Sequence, residues 1–121
     1  ETGEVDLDVY SELNATFHRQ LADLSGSDVI RREIERATRL PFASPSAFLP
    51  DRADIAAFRR SLNIAQEQHR EIVAAIVARE GARADAIARE HARIARRNLD
   101  YIMIQDRSLL ARVPGLALLS D

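Results

Sequence analysis

The sequence predicts an all-α fold, an antiparallel bundle of about four to six helices. Aromatic residues make up only 5% of the 121 residues, while Ala, Ile, Leu and Arg are abundant, which is typical of helices packed through small and aliphatic side chains. Apolar residues recur every three or four positions in four segments. Four glycines and four prolines leave few turns for a β-fold. This length predicts a single domain over residues 1–121.

Two shorter helices are predicted first. The first runs from about Asp8 to Leu24, and Gly26 suits the left-handed position that follows a helix. The second runs from about Asp28 to Leu40, with Ser27 or Asp28 as its N-cap. The residues expected to face inward are Tyr10, Leu13, Phe17, Leu21 and Leu24 in the first helix and Ile30, Ile34 and Ala37 in the second.

Two longer helices follow a proline-rich segment. Residues 40–50 contain three prolines and cannot be helical throughout, although their apolar side chains are expected to pack onto the body. The third helix is predicted from about Arg52 to Arg79 and the fourth from about Ala82 to Ile104, with Gly81 breaking or kinking the chain between them. An apolar tail at 113–119 ends the sequence.

Charge and composition exclude several classes of protein. The net charge is −2, with 17 basic and 19 acidic residues, whereas nucleic-acid binding usually requires a basic excess. No apolar run approaches the ~20 residues needed to span a bilayer. The absence of cysteine excludes disulfides and thiolate metal sites, and fits a reducing compartment. Without a signal peptide, and with Glu1 in place of a starting Met, we expect a cytoplasmic protein that is either a fragment of a longer chain or a processed one.

All three histidines fall on the apolar stripes of predicted helices. His18, His69 and His91 each belong to a different helix, and Asn14 lies one turn before His18. An unsatisfied buried imidazole costs about 1–3 kcal/mol, and a metal ion could accept lone pairs from all three rings. From spacing alone, a metal site and a set of hydrogen-bonded core histidines are equally supported.

An open coordination position would allow either catalysis on bound water or capture of a small anion. A metal-dependent hydrolase or lyase would need a nearby general base. Glu67, Glu71 and Glu90 adjoin His69 or His91 in sequence but are expected to point away from the site. The ligand-binding hypothesis is therefore favoured, and a structural bundle without metal is the third alternative.

Several other residues are candidates for binding an effector. Gln66 lies one turn before His69, and Asn98 lies two turns after His91 on the same face. A carboxylate would suit an arginine, which binds it through two parallel hydrogen bonds, and Arg36 and Arg59 are the candidates. The stripe that contains Arg36 is otherwise expected to be a solvated face.

Three stretches together resemble a known family, and they cover the chain from Tyr10 to about Leu99. They read NATFHRQLADLSGSDVI, AQEQHREIVAAI and AREGARADAIAREHARIARRNL. This is similar to the effector-binding C-terminal (FCD) domain of GntR-type transcriptional regulators of the FadR-like subfamily. The family pattern has Asp or Asn four residues before a histidine, and two further histidines. Here the steps are 51 from His18 to His69 and 22 from His69 to His91.

The resemblance implies a helical bundle with a metal, commonly zinc or nickel, held by the residues that match the family pattern, Asn14, His18, His69 and His91. It also implies a homodimer and a small carboxylate effector at the metal, which changes the geometry of an attached winged helix-turn-helix. DNA would be bound only by that N-terminal domain, which this chain lacks. Asn14 stands where many members have Asp. Because an amide is a weaker, neutral ligand, zinc, nickel, manganese and iron all stay open.

Overall fold

The computed structural model describes residues 6–40 and 56–105, which form four helices and no strand. Helix α1 is Leu7–Asp23, α2 is Asp28–Thr38, α3 is Ala56–Val77 and α4 is Gly81–Gln105. The all-α prediction is confirmed, and the ends of the helices differ from the predicted ones by a few residues. The predictions for most of the proline-rich segment and for the apolar tail fall outside the described residues.

The chain divides into two compact units, one containing α1 and α2 and the other containing α3 and α4. Neither unit contributes a membrane span: within residues 6–40 and 56–105, every helix is too short or too polar to cross a bilayer.

The ends of α1 and α2 are fixed by capping residues. The carboxylate of Asp6 accepts hydrogen bonds from the backbone N–H groups of Asp8 and Val9, each 3.1 Å long. Gly26 has a φ of 64°, so it takes the left-handed conformation that the sequence predicts for it. Ser27 is the N-cap of α2, since its Oγ accepts from the N–H of Ile30 at 3.3 Å.

The buried face of α1 is not the one that its largest apolar residues predict. Leu13, expected to face inward, is 66% exposed, whereas Asn14 and Ala22 are buried. His18 is half-buried and lies between them on the same line of side chains, one turn from each. The inward face of α1 is thus centred on the polar pair Asn14 and His18.

Helix α2 has no buried residue. Ile30 and Ile34, expected to face inward, are 48% and 40% exposed. Exposed ion pairs one turn apart run along the helix, such as Arg36–Glu33 at 2.8 Å and Arg39–Glu35 at 3.1 Å. Such pairs stabilise a helix by only about 0.3–0.5 kcal/mol each.

Helices α3 and α4 pack antiparallel. Ser61 near the start of α3 contacts Asn98 near the end of α4, and His69 contacts His91 closer to the turn. Among the residues of this unit whose side chains the structure describes, the buried apolar ones are Leu62, Ala65, Ile72, Ala75 and Ile94. Val73 is about half exposed, because the buried stripe of α3 passes through Leu62, Ala65, His69, Ile72 and Ala75 and Val73 lies to one side of it.

The turn between α3 and α4 is a Schellman motif. The N–H of Glu80 donates to the carbonyl of Ala75 at 2.8 Å, and that of Arg79 donates to the carbonyl of Ile76 at 3.0 Å. Arg79 holds the left-handed position, with a φ of 58°. The sequence predicts a break at Gly81, but Gly81 is the first residue of α4, and the chain turns two residues earlier at a residue with a side chain.

Candidate metal centre

The centre of the α3–α4 pair contains two histidines in direct contact. His69 is 5% exposed, with the buried residues Ala65 and Ile72 one turn on either side of it. His91 is half-buried on α4. The Nε2 atoms of the two rings are 3.0 Å apart, and the ring centroids are 4.5 Å apart. Two ring nitrogens therefore meet at one point inside a largely apolar helix pair.

His91 has a second contact that sequence reasoning missed. Its Nδ1 lies 3.3 Å from Oε1 of Gln68, the residue just before His69. Burial lowers the pKa of His91, because a desolvated imidazole favours its neutral form. A neutral ring can offer a lone pair to a metal ion.

Helix α1 contributes the other two predicted ligands. Asn14 is 4% exposed, and His18 follows it by one turn. The His18 ring packs edge-on against Phe17, with centroids 5.4 Å apart and an interplanar angle of 86°. Both residues belong to the inward face of α1, so their helix positions suit the role that the sequence predicts for them.

Three histidines of the described residues could form a metal site. His69 and His91 each offer one ring nitrogen at the centre of the α3–α4 unit, and His18 is the third ligand that the sequence predicts. Imidazole nitrogens bind zinc at about 2.0–2.1 Å, so two ligands at a right angle are about 3.0 Å apart and two at the tetrahedral angle about 3.4 Å. The observed 3.0 Å between the Nε2 atoms of His69 and His91 fits two adjacent ligands of one ion.

The acidic residues beside the histidines are engaged elsewhere. Glu67 forms an exposed ion pair with Arg70, and Glu71 forms one with Arg83. Glu90 binds two arginines of α4, at 3.1 Å and 2.8 Å. These contacts direct the carboxylates toward the surface of α3 and α4.

A groove of about 380 Å³ lies between α1 and α2. Its wall includes His18, the apolar residues Ala22 and Ile34, and the basic residues Arg19 and Arg31. The groove thus combines a metal-ligand candidate with apolar surface, two cations and two carboxylates, Asp23 and Glu35. Arg19 and Arg31 were not singled out from the sequence, because only the packing of α2 on α1 brings them to one groove.

The four effector candidates lie in different surroundings. Asn98 is buried, and its Oδ1 accepts a hydrogen bond of 2.7 Å from Oγ of Ser61. Arg36 is exposed and donates to Glu33 at 2.8 Å. Gln66 and Arg59 are half-buried on α3. Their roles in binding an effector stay predictions.

The comparisons with known proteins agree with this arrangement at the level of the family. No curated protein that was compared matches the chain. The family model described as the FCD domain matches residues 1–94, a range that includes all three histidines and Asn14. The chain therefore belongs to the FCD domain family, the effector-binding domain of GntR-type transcriptional regulators.

Proposed function

We propose that this chain is the effector-sensing and dimerisation domain of a bacterial GntR-type transcriptional regulator, and that it binds a divalent metal ion and a small carboxylate. The observation that carries the proposal is the 3.0 Å contact between the Nε2 atoms of His69 and His91. A buried and a half-buried imidazole whose nitrogens meet in an apolar helix pair are better suited to binding a metal ion than to apolar packing.

The proposed ligands are His18, His69, His91 and Asn14, with zinc or nickel as the ion. Three neutral imidazoles and an amide oxygen bring no negative charge, so the bound ion keeps its full charge. When bound, the metal supplies a cationic anchor for an anion at its open positions. That property suits capture of a carboxylate.

The groove between α1 and α2 supports a small organic acid as the effector. Arg19 and Arg31 on its wall could bind a carboxylate through paired hydrogen bonds. Ala22 and Ile34 would contact the carbon chain of the same molecule. Gln66, Asn98, Arg36 and Arg59 are the further candidates from the sequence.

The regulatory mechanism is a difference in affinity. An effector shifts a regulator between two conformations only by as much as it binds one of them more tightly. We propose that the regulator is a homodimer, because two copies would read the two half-sites of an operator. DNA contacts would come from a winged helix-turn-helix domain that is not part of these 121 residues.

The test is metal analysis of the chain purified without a histidine tag and without added metal. We expect about one equivalent of a divalent metal, lost in His69→Ala and retained in the control Asn63→Ala, which changes an exposed residue of the same helix. Metal only at trace level, with unchanged thermal stability in His69→Ala, would contradict the proposal.

A second measurement separates a sensor from the alternative, a metal-dependent hydrolase or lyase. Acetate, succinate and citrate are added to the metal-loaded chain, and both the melting temperature and the concentration of each acid are followed. A sensor predicts a higher melting temperature with the acid unchanged. Consumption of the acid would support the enzyme instead.

A further inference from the structure

Gln68 occupies an unusual place for a residue next to a candidate metal ligand. It precedes His69 on α3, yet its side chain extends to the facing helix, where Oε1 lies 3.3 Å from Nδ1 of His91. Gln68 is half-buried, so this contact is partly shielded from water. A single stretch of α3 therefore touches His91 twice, through Gln68 and through His69.

The contact with Gln68 determines which nitrogen of His91 carries the proton. An amide oxygen is only an acceptor, so Nδ1 of His91 must donate. A neutral imidazole has one N–H, so in the neutral ring of His91 the contact with Gln68 places that proton on Nδ1. Nε2 of His91 therefore has a lone pair and no proton.

The same reasoning fixes the proton of the facing ring. The Nε2 atoms of His69 and His91 are 3.0 Å apart, and a hydrogen bond between them needs one donor and one acceptor. Since Nε2 of His91 is the acceptor, Nε2 of His69 is the donor. In the metal-free chain His91 is thus already in the form that binds a metal through Nε2, and His69 is not.

We propose that Gln68 is a positioning residue, which holds the ring of His91 in the Nδ1–H tautomer with its Nε2 lone pair directed at the metal position. The inference rests on the proposed function for its metal and goes further, because it assigns a role to a residue outside the ligand set. When a metal binds, the His91 proton stays on Nδ1. The proton of His69 moves from Nε2 to Nδ1, and the net charge of the two rings does not change.

The expected cost of losing Gln68 follows from the behaviour of residues that orient metal ligands. A group that accepts a hydrogen bond from a ligating histidine fixes its tautomer and raises its basicity, and its loss typically weakens metal binding 10–100-fold. Gln68→Leu keeps approximately the size of the side chain and removes the acceptor. Gln68→Glu keeps the acceptor at the same length, so it is the variant expected to restore function.

The experiment first determines tautomers in the metal-free chain by long-range ¹H–¹⁵N NMR of ¹⁵N-labelled histidine. We expect His91 as Nδ1–H and His69 as Nε2–H in the wild-type chain. His91 in Gln68→Leu should become a mixture of both tautomers, whereas Gln68→Glu and the control Gln20→Leu, at an exposed position of α1, should keep Nδ1–H. A wild-type His91 with its proton on Nε2 would overturn the proposal.

The second part measures the affinity for Zn²⁺ and Ni²⁺ by competition with a chromogenic chelator. We expect Gln68→Leu to bind 10–100-fold more weakly than wild type, and Gln68→Glu and Gln20→Leu to bind at least about as tightly. If the wild-type chain binds metal and Gln68→Leu binds it equally tightly, the role of Gln68 is overturned and the proposed metal site is not. A wild-type chain that binds neither metal overturns the proposed function and the metal role of Gln68 together, and the NMR result then shows whether the tautomer assignment itself was wrong.

Discussion

Asn14 is the predicted ligand with the most informative single substitution. It is buried on the inward face of α1, one turn before His18. Asn14→Asp should raise metal affinity, because an anionic carboxylate binds a divalent cation more tightly than a neutral amide does. In the metal-free chain the same change should lower the stability by about 1–3 kcal/mol, because it buries a charge or an imperfectly paired acid.

The measurement for Asn14 compares melting temperatures of wild type and Asn14→Asp with and without added Zn²⁺ or Ni²⁺. Asn63→Asp, the same change at an exposed position of α3, should leave both temperatures nearly unchanged. A destabilisation by Asn14→Asp that metal does not reverse would remove Asn14 from the ligand set.

His91 predicts the pH dependence of stability in the metal-free chain. Burial lowers its pKa below the usual value of 6.5, so between the two values the unfolded chain binds the proton and the folded chain does not. Stability therefore rises with pH through this window and is lost as pH falls from about 6.5 toward the lowered value. Urea unfolding across this range should show that slope, reduced in His91→Gln. An equal slope in the variant would assign the effect to other groups.

At the scale of the helices, hydrophobic periodicity predicts where each helix begins and ends better than it predicts which face of the helix is buried. The four helices lie where the sequence predicts them, because apolar residues recur every three or four positions. Gly26 follows the end of α1, and Ser27 caps the start of α2, as predicted. The exposure of Leu13 and Val73 could not be predicted. A helix with apolar residues around much of its circumference leaves the choice of face to packing.

The turn between α3 and α4 leads to a stability prediction. Arg79 has a φ of 58°, a conformation that costs a residue with a Cβ about 1–2 kcal/mol and glycine much less. Arg79→Gly should therefore stabilise the chain by about 0.5–1 kcal/mol, after allowing for the greater freedom of glycine in the unfolded chain. Urea unfolding measures this difference.

The control for Arg79 is Arg70→Gly, at an exposed position inside α3. That change should destabilise by about 1 kcal/mol, because glycine is a poor helix former. If Arg79→Gly and Arg70→Gly destabilise equally, the left-handed strain at Arg79 is not relieved by glycine and the Schellman interpretation is wrong.

At the scale of the whole molecule, the sequence indicates which residues hold the candidate site but not how they are supported. The three histidines were found because polar residues on apolar stripes are rare and because their spacing resembles a family. The contact of Gln68 with His91 depends on the register in which α3 packs on α4. In the same way, only the packing of α2 on α1 brings Arg19 and Arg31 to one groove. No local sequence pattern predicts either of these two helix–helix arrangements.

A substitution in the groove between α1 and α2 should separate recognition of the effector from binding of the metal. Arg31 lies on the groove wall, and its guanidinium forms exposed ion pairs with Asp23, at 3.5 Å, and with Asp28. Exposed ion pairs are worth at most about 1 kcal/mol each. Arg31→Gln should therefore leave folding and metal affinity nearly intact. It should weaken carboxylate binding about tenfold or more, because a hydrogen bond to a charged group contributes about 1.5–3 kcal/mol.

The measurement uses the melting temperature of the metal-loaded chain at increasing succinate or citrate, since stabilisation grows with the logarithm of ligand concentration over its dissociation constant. Arg36→Gln is the matched control, because Arg36 is on the same helix but is exposed and bound to Glu33. If Arg36→Gln weakens the effect of the acid and Arg31→Gln does not, the effector binds to the arginine that the sequence singles out and the groove is not its site. If only Arg31→Gln weakens it, the packing of α1 and α2 determines specificity, and the metal anchors a ligand that this groove selects.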